Sequence, residues 1–152
     1  MDILEEMFSH QKERFRDALR GSGLELMDNK KSILIERIKK VVVELIHHAD
    51  EPLKVNFSDH LARRLAHDYT YLANLFSQVE GITIEQYIIY HKIERVKELL
   101  VYNELSLTQI SYLLHYSSVS HLSNQFKKIT GLTPSHFKRL KDYRRKSLDG
   151  SN

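Results

Sequence analysis

The sequence predicts a mainly α-helical chain in which two copies of one two-helix unit are joined by a long linker helix, behind a short N-terminal helix–strand segment. Three observations point there. Apolar residues recur mostly at three- and four-residue spacing, and the 152 residues hold only 2 prolines, Pro52 and Pro134, so helix dominates. The stretch Leu72–Thr83 matches Leu122–Thr133 at an offset of 50 residues. Finally, 41% apolar and 28% charged residues with 5 glycines describe a folded globule, not a low-complexity chain.

Residues 3–19 place Ile3, Leu4, Met7, Phe8, Phe15, Ala18 and Leu19 on a helical pattern that stops at Gly21-Ser22-Gly23. Leu24-Glu25-Leu26-Met27 is expected as a short strand, and Asp28-Asn29-Lys30-Lys31 as a polar turn. A helix from about Ser32 to His48 carries Ile35, Ile38, Val42, Leu45 and Ile46, and Asp50-Glu51-Pro52 breaks it, because the residue before proline disfavours helical backbone. Six more helices follow at about 58–66, 69–79, 84–102, 107–114, 118–129 and 134–143. A lone strand leaves its backbone groups unpaired. Residues 1–31 are therefore expected either to pair with a second copy as a homodimer or to belong to a longer protein. Residues 32–146 form the repeat domain, and 147–152 a flexible tail.

The repeat extends upstream, where Leu61-Ala62 and Leu65 match Ile110-Ser111 and Leu114, and downstream, where Tyr87 matches Phe137. Each copy reads as a short helix, a tight turn, a second helix ending at a glycine, and an aromatic in the helix beyond. The second helix is expected to bury Leu72, Leu75, Phe76 and Val79 in one copy and Leu122, Phe126 and Ile129 in the other. The opposite face carries Tyr69, Thr70, Ala73, Asn74 and Ser77 in the first copy, and Ser117, Ser120, Ser123, Asn124 and Lys127 in the second, with His121 and Lys128 beside it. Small hydroxyls and amides let a helix approach another surface closely, and Asn pairs bidentately with the N6 and N7 edge of adenine. Two copies with Asn at the same place favour recognition helices over two solvated faces. The joining helix, from Ile84 to about Tyr102, is about 28 Å long at 1.5 Å per residue, close to the spacing of about 34 Å between successive major grooves. Its Ile88, Ile89, Ile93, Val96, Leu99 and Leu100 would hold it against both units.

Residues 57–140 resemble the double helix-turn-helix domain of the AraC/XylS family of transcription regulators. Phe126-Lys127-Lys128, Gly131 and Thr133-Pro134 carry the likeness most specifically, and Leu61-Ala62, Tyr71-Leu72, Phe76 and Gly81 support it in the first copy. The resemblance implies that Thr70, Ala73, Asn74 and Ser77, and Ser120, Ser123 and Asn124, enter the major groove of double-stranded DNA. It also makes RNA polymerase a candidate partner. Ala66 and His115 stand where the family's turn has Gly, Tyr116 replaces a Phe, and Lys92 an Arg. Neither recognition face has Arg, the commonest reader of guanine, so sites richer in A and T are expected.

Charge agrees with a polyanionic partner without requiring one: residues 1–54 carry net −1 and residues 55–152 net +4. Lys138, Arg139, Lys141, Arg144, Arg145 and Lys146 face only Asp142, as they would along a polyanion or in a solvated tail. The 9 histidines form no metal-ligand spacing, there is no Cys, and no catalytic constellation is present, so no cofactor, metal or enzyme activity is expected. His47, His48, His60, His67, His91 and His136 are expected at surfaces or boundaries, and His121 either at phosphate or in packing. No run of 18 apolar residues and no signal peptide is seen, so the chain is expected in the cytoplasm. The rival reading is a helical protein adaptor or anti-activator that uses the repeat surface to bind another protein. The effector, the promoter and the choice between activation and repression leave no mark in the residues.

Overall fold

The structure is a computed structural model that describes residues 24–48 and 56–148. Among the described residues seven helices follow one another: α1 (Leu24–His47), α2 (Phe57–Leu65), α3 (Tyr69–Glu80), α4 (Ile84–Tyr102), α5 (Leu107–Leu113), α6 (Val119–Thr130) and α7 (Pro134–Leu148). Helices α2 and α3 form the first unit, α5 and α6 the second, and α4 packs against both. Helix α1 lies against α2, α3 and α4, while α7 closes on α4 and α6.

The boundaries have local causes. Asn56 accepts from the Asp59 amide at 2.7 Å and starts α2. Thr83-x-x-Gln86 and Ser106-x-x-Gln109 both form reciprocal capping boxes at the starts of α4 and α5. Pro134 begins α7, where its missing N–H costs nothing.

The two units share one core. Leu61, Leu72 and Phe76 are fully enclosed in the first, and Ile110, Leu122 and Phe126 in the second. The aromatic beyond each glycine closes the same gap: Tyr87 lies 5.4 Å from Phe76, and Phe137 lies 5.6 Å from Phe126. Between the units, Ile84, Ile88, Ile93, Val96, Leu99 and Leu100 of α4 are buried, and Ile89 packs against the same core from a half-buried position.

Four expectations need correction. Leu24–Met27 is the first turn of α1, not a strand. No strand exists among the described residues to pair with it, whereas extending the helix satisfies its amides internally, and Asp28-Asn29-Lys30-Lys31 contains no residue that breaks helix. A homodimer built on that strand loses its basis, and α1 crosses the expected boundary between residues 31 and 32. Helix α7 runs on to Leu148 because nothing before Gly150 interrupts it, so the tail's first two residues are helical. Val79 and Ile129 are not buried but 57% and 45% exposed; each sits in the last turn before a glycine cap, where the helix end leaves much of the side chain to solvent. The helix expected over residues 3–19 lies outside the described residues.

Candidate nucleic-acid interface

Each unit depends on a chain reversal in left-handed backbone. In the first, Ala66 has φ 55° and the His67 amide donates to the Ala62 carbonyl at 3.3 Å. In the second, His115 has φ 61° and the Tyr116 amide donates to the Ser111 carbonyl at 2.9 Å. Both are the six-to-one bond of a Schellman turn, made by equivalent residues although neither unit has the glycine that relieves this conformation. One further residue, Ser117, lengthens the second turn, and Ser118 caps α6, its hydroxyl accepting from the His121 amide at 3.0 Å. Both recognition candidates then end alike, at Gly81 with φ 76° and at Gly131 with φ 82°.

This geometry brings the expected contact residues into equivalent positions. Thr70, Ala73, Asn74 and Ser77 fall at i, i+3, i+4 and i+7 on α3, opposite the buried Leu72, Leu75 and Phe76. Ser120, Ser123, Asn124 and Lys127 repeat that spacing on α6, opposite Leu122 and Phe126. Thr70, Asn74, Ser120, Asn124, Lys127 and Lys128 are exposed, while Ala73, Ser77 and Ser123 are half-buried along the edge. The side-chain amides of Asn74 and Asn124 are therefore presented to solvent from the middle of each helix.

Tyr69, Ser117 and His121 are already engaged within the protein. The Tyr69 hydroxyl donates to Glu85 of α4, and burial together with that bond raises its pKa, so it remains a neutral donor that ties α3 to the linker. Ser117 Oγ and His121 Nδ1 lie 3.0 Å apart, and the His121 ring stands edge-on to Tyr116 at 5.2 Å. Tyr116 is buried and donates to Gln125 at 2.7 Å, fixing α6 against its own turn. The family's Arg-to-Lys change at Lys92 sits at the centre of this arrangement: its Nζ lies 4.9 Å from the Tyr116 ring and 5.8 Å from Phe57, spanning the second and first units. Burial lowers its pKa.

Sequence reasoning missed the support that α1 gives the first recognition helix. Lys39 Nζ pairs with Glu80 Oε1 in the last turn of α3 at 2.8 Å, and this bond raises the lysine pKa. At the other end of α3, His67 stacks on Tyr71 at 5.3 Å, and both border a cleft against Lys30, Lys31, Ile33, Leu34 and Arg37 of α1. The Lys30-Lys31 doublet was the only trace of it in the sequence. A second hollow, apolar and about 670 Å³, lies between the start of α4 and the end of α6, with Ile82, Tyr90 and Ile129 in its wall. It brings the turn after α3 and the last turn of α6 to one shared surface.

The histidines fall at boundaries as expected. His47 Nε2 lies 3.0 Å from His91 Nδ1 between α1 and α4, and burial lowers the pKa of both. His60 is half-buried, while His48, His67 and His136 are exposed. Among the described residues no group of histidines and acids is arranged to hold a metal, and no helix is long and apolar enough to cross a membrane.

The model of a helix-turn-helix domain family matches residues 61–140. The chain is 26% identical over 106 residues to the uncharacterized HTH-type transcriptional regulator YtdP of Bacillus subtilis (strain 168), covering 70% of this chain but only 14% of that protein. It is 24% identical over 135 residues to the Transposon Tn10 TetD protein of Escherichia coli, covering 89% of this chain and 94% of that one. Its fold is similar to the DNA-binding domain of AdpA, a global transcriptional factor solved in complex with a target DNA, with TM-score 0.60 and 19% identity over 73% of this chain and 95% of that one. With two helix-turn-helix units around a shared linker and a family model spanning both, the chain belongs to the AraC/XylS family of transcription regulators.

Proposed function

We propose that the chain is a cytoplasmic transcription regulator that binds duplex DNA sequence-specifically, with α3 and α6 in successive major-groove segments. The observation that carries this reading is the equivalence of the two exposed faces: Thr70, Ala73, Asn74 and Ser77 against Ser120, Ser123, Asn124 and Lys127, each standing on a fully buried Leu and Phe. Asn74 and Asn124 read adenine edges, the hydroxyls of Thr70, Ser77, Ser120 and Ser123 permit close approach, and Lys127 and Lys128 contact phosphate. Tyr69, Ser117 and His121 orient the helices that carry the readers. Bound at a promoter, the protein has RNA polymerase as its further partner.

Selection from a random duplex library tests this. The reading expects an enriched A- and T-containing motif whose affinity falls steeply with salt, in proportion to the phosphates contacted. A protein adaptor built on the same repeat would enrich no motif and show no such slope.

A further inference from the structure

The cleft between α1 and the start of α3 is a second class of contact, and we propose that it grips the DNA backbone outside the base-reading faces. This rests on the DNA-binding reading above. Its lining is Lys30, Lys31 and Arg37 with His67 and Tyr71, over a floor of Ile33 and Leu34, and it includes no carboxylate. All three cations are exposed, and none forms an ion pair with a described residue. Asp28 and Glu36, near these cations along α1, and Asp68 beside His67 are exposed and do not line the cleft.

The placement relative to α3 identifies the ligand. Lys39 of α1 meets Glu80 at the end of α3, and residues 30–37 meet His67 and Tyr71 at its beginning. The two helices therefore run side by side in one direction, with the cationic end of α1 beside the N-terminus of α3. A recognition helix enters the groove with its N-terminal residues at the base edges, so side chains flanking that N-terminus lie near the sugar-phosphate strand that bounds the groove. Thr70 and Asn74 at the bases put Tyr71, on the adjoining face, toward that strand. The N-terminal dipole of α3 adds to the attraction for phosphate. Lys30, Lys31 and Arg37 then neutralise phosphates on the outer flank of the first half-site, with Tyr71 and His67 as hydrogen-bonding partners. The second unit has no counterpart of α1, so this grip makes the footprint longer on one side.

The test is the Lys30→Gln, Lys31→Gln, Arg37→Gln triple variant of the full chain, with the single Lys31→Gln variant beside it, titrated against the selected site between low and moderate salt. Because each neutralised phosphate contributes about 0.9 to the slope of log affinity against log salt, the triple variant is expected to lose about 2–3 and the single variant about 1. The selected base motif should not change, which also confirms that the fold is intact. A duplex trimmed at the α3 end should weaken wild-type binding but not that of the triple variant. A wild-type slope in the triple variant would overturn the proposal while leaving DNA binding in place, and would direct the patch to an acidic protein surface instead. Equal sensitivity to trimming at either end would overturn the flank assignment. Absence of salt-dependent binding in the wild type would overturn the DNA reading itself.

Discussion

The two helix-turn-helix units have the same framework and different surroundings. Phe76 and Phe126, Leu72 and Leu122, Gly81 and Gly131, and the Ala66 and His115 turns occupy equivalent places. The first unit, however, is braced from outside by α1 through the Lys39–Glu80 pair, and its recognition helix contains no cation. The second is braced through its own turn by Tyr116 and Gln125, and its recognition helix ends in Lys127 and Lys128. Identical scaffolding thus leaves the chemistry of the presented face free to vary. One unit carries its positive charge on the recognition helix, the other on the helix beside it.

The largest test of this equivalence removes the paired rings. Phe76→Ala and Phe126→Ala should each cost about 3–5 kcal/mol in chemical denaturation followed by circular dichroism. Near-equal costs support twin cores; a variant that melts like wild type would show that its ring is not part of the framework. Next come the readers. Asn74→Ala and Asn124→Ala should each lose about 1–3 kcal/mol on the selected site and relax preference at one adenine, whereas Lys127→Ala should weaken all sequences alike and lower the salt slope by about one. Equal losses on selected and random DNA for all three variants would show that the asparagines do not read bases.

Backbone effects are smaller. A Cβ at Gly81 or Gly131 meets nothing within 4 Å, so Gly81→Ala and Gly131→Ala should cost only the left-handed conformation, about 1–2 kcal/mol each. Conversely, Ala66→Gly should stabilise by up to about 1 kcal/mol, and His115→Gly by less, because His tolerates positive φ better. Thermal melts that rank these four differently would mean the turns are not equivalent.

The smallest effect expected is in pH, and it falls on the first unit's brace. Burial holds His47 and His91 below their ordinary value of 6.5, outweighing Glu98 beside His47 and Glu94 beside both; Arg95 and His48 lower His47 further. The unfolded chain then binds more protons than the folded one, so stability should rise with pH through this window and fall as the solution is acidified below about 6.5. A His47→Gln, His91→Gln variant should have a flatter profile, as read by melting temperature between pH 7 and pH 5.

Much of this architecture was legible because short-range rules agreed with one another. Thr83-x-x-Gln86, Ser106-x-x-Gln109, Pro134 and the two glycine caps mark helix ends by local hydrogen bonding alone. The repeat then identified the presented faces, since Leu and Phe at equal offsets leave Asn74 and Asn124 on the far side of each helix. What escaped depended on tertiary neighbours. Leu24–Met27 has the apolar density of a strand, but among the described residues there is no strand for it to join. Val79 and Ile129 have the spacing of core residues, yet about half of each side chain stays exposed at its helix end. The cationic cleft combines residues 30–37 with 67–71, a juxtaposition that no local pattern encodes.

The central claim is that one chain reads two groove segments through two equivalent helices, and methylation interference at single-base resolution on the selected site tests it most directly. Helix α4 has 19 residues, about 28 Å, and holds both units in one core. The account therefore predicts two interfering segments about 10 base pairs apart on one face of the duplex, different in sequence, one lost in Asn74→Ala and the other in Asn124→Ala. Interference confined to one segment, with either asparagine dispensable, would contradict two-groove reading.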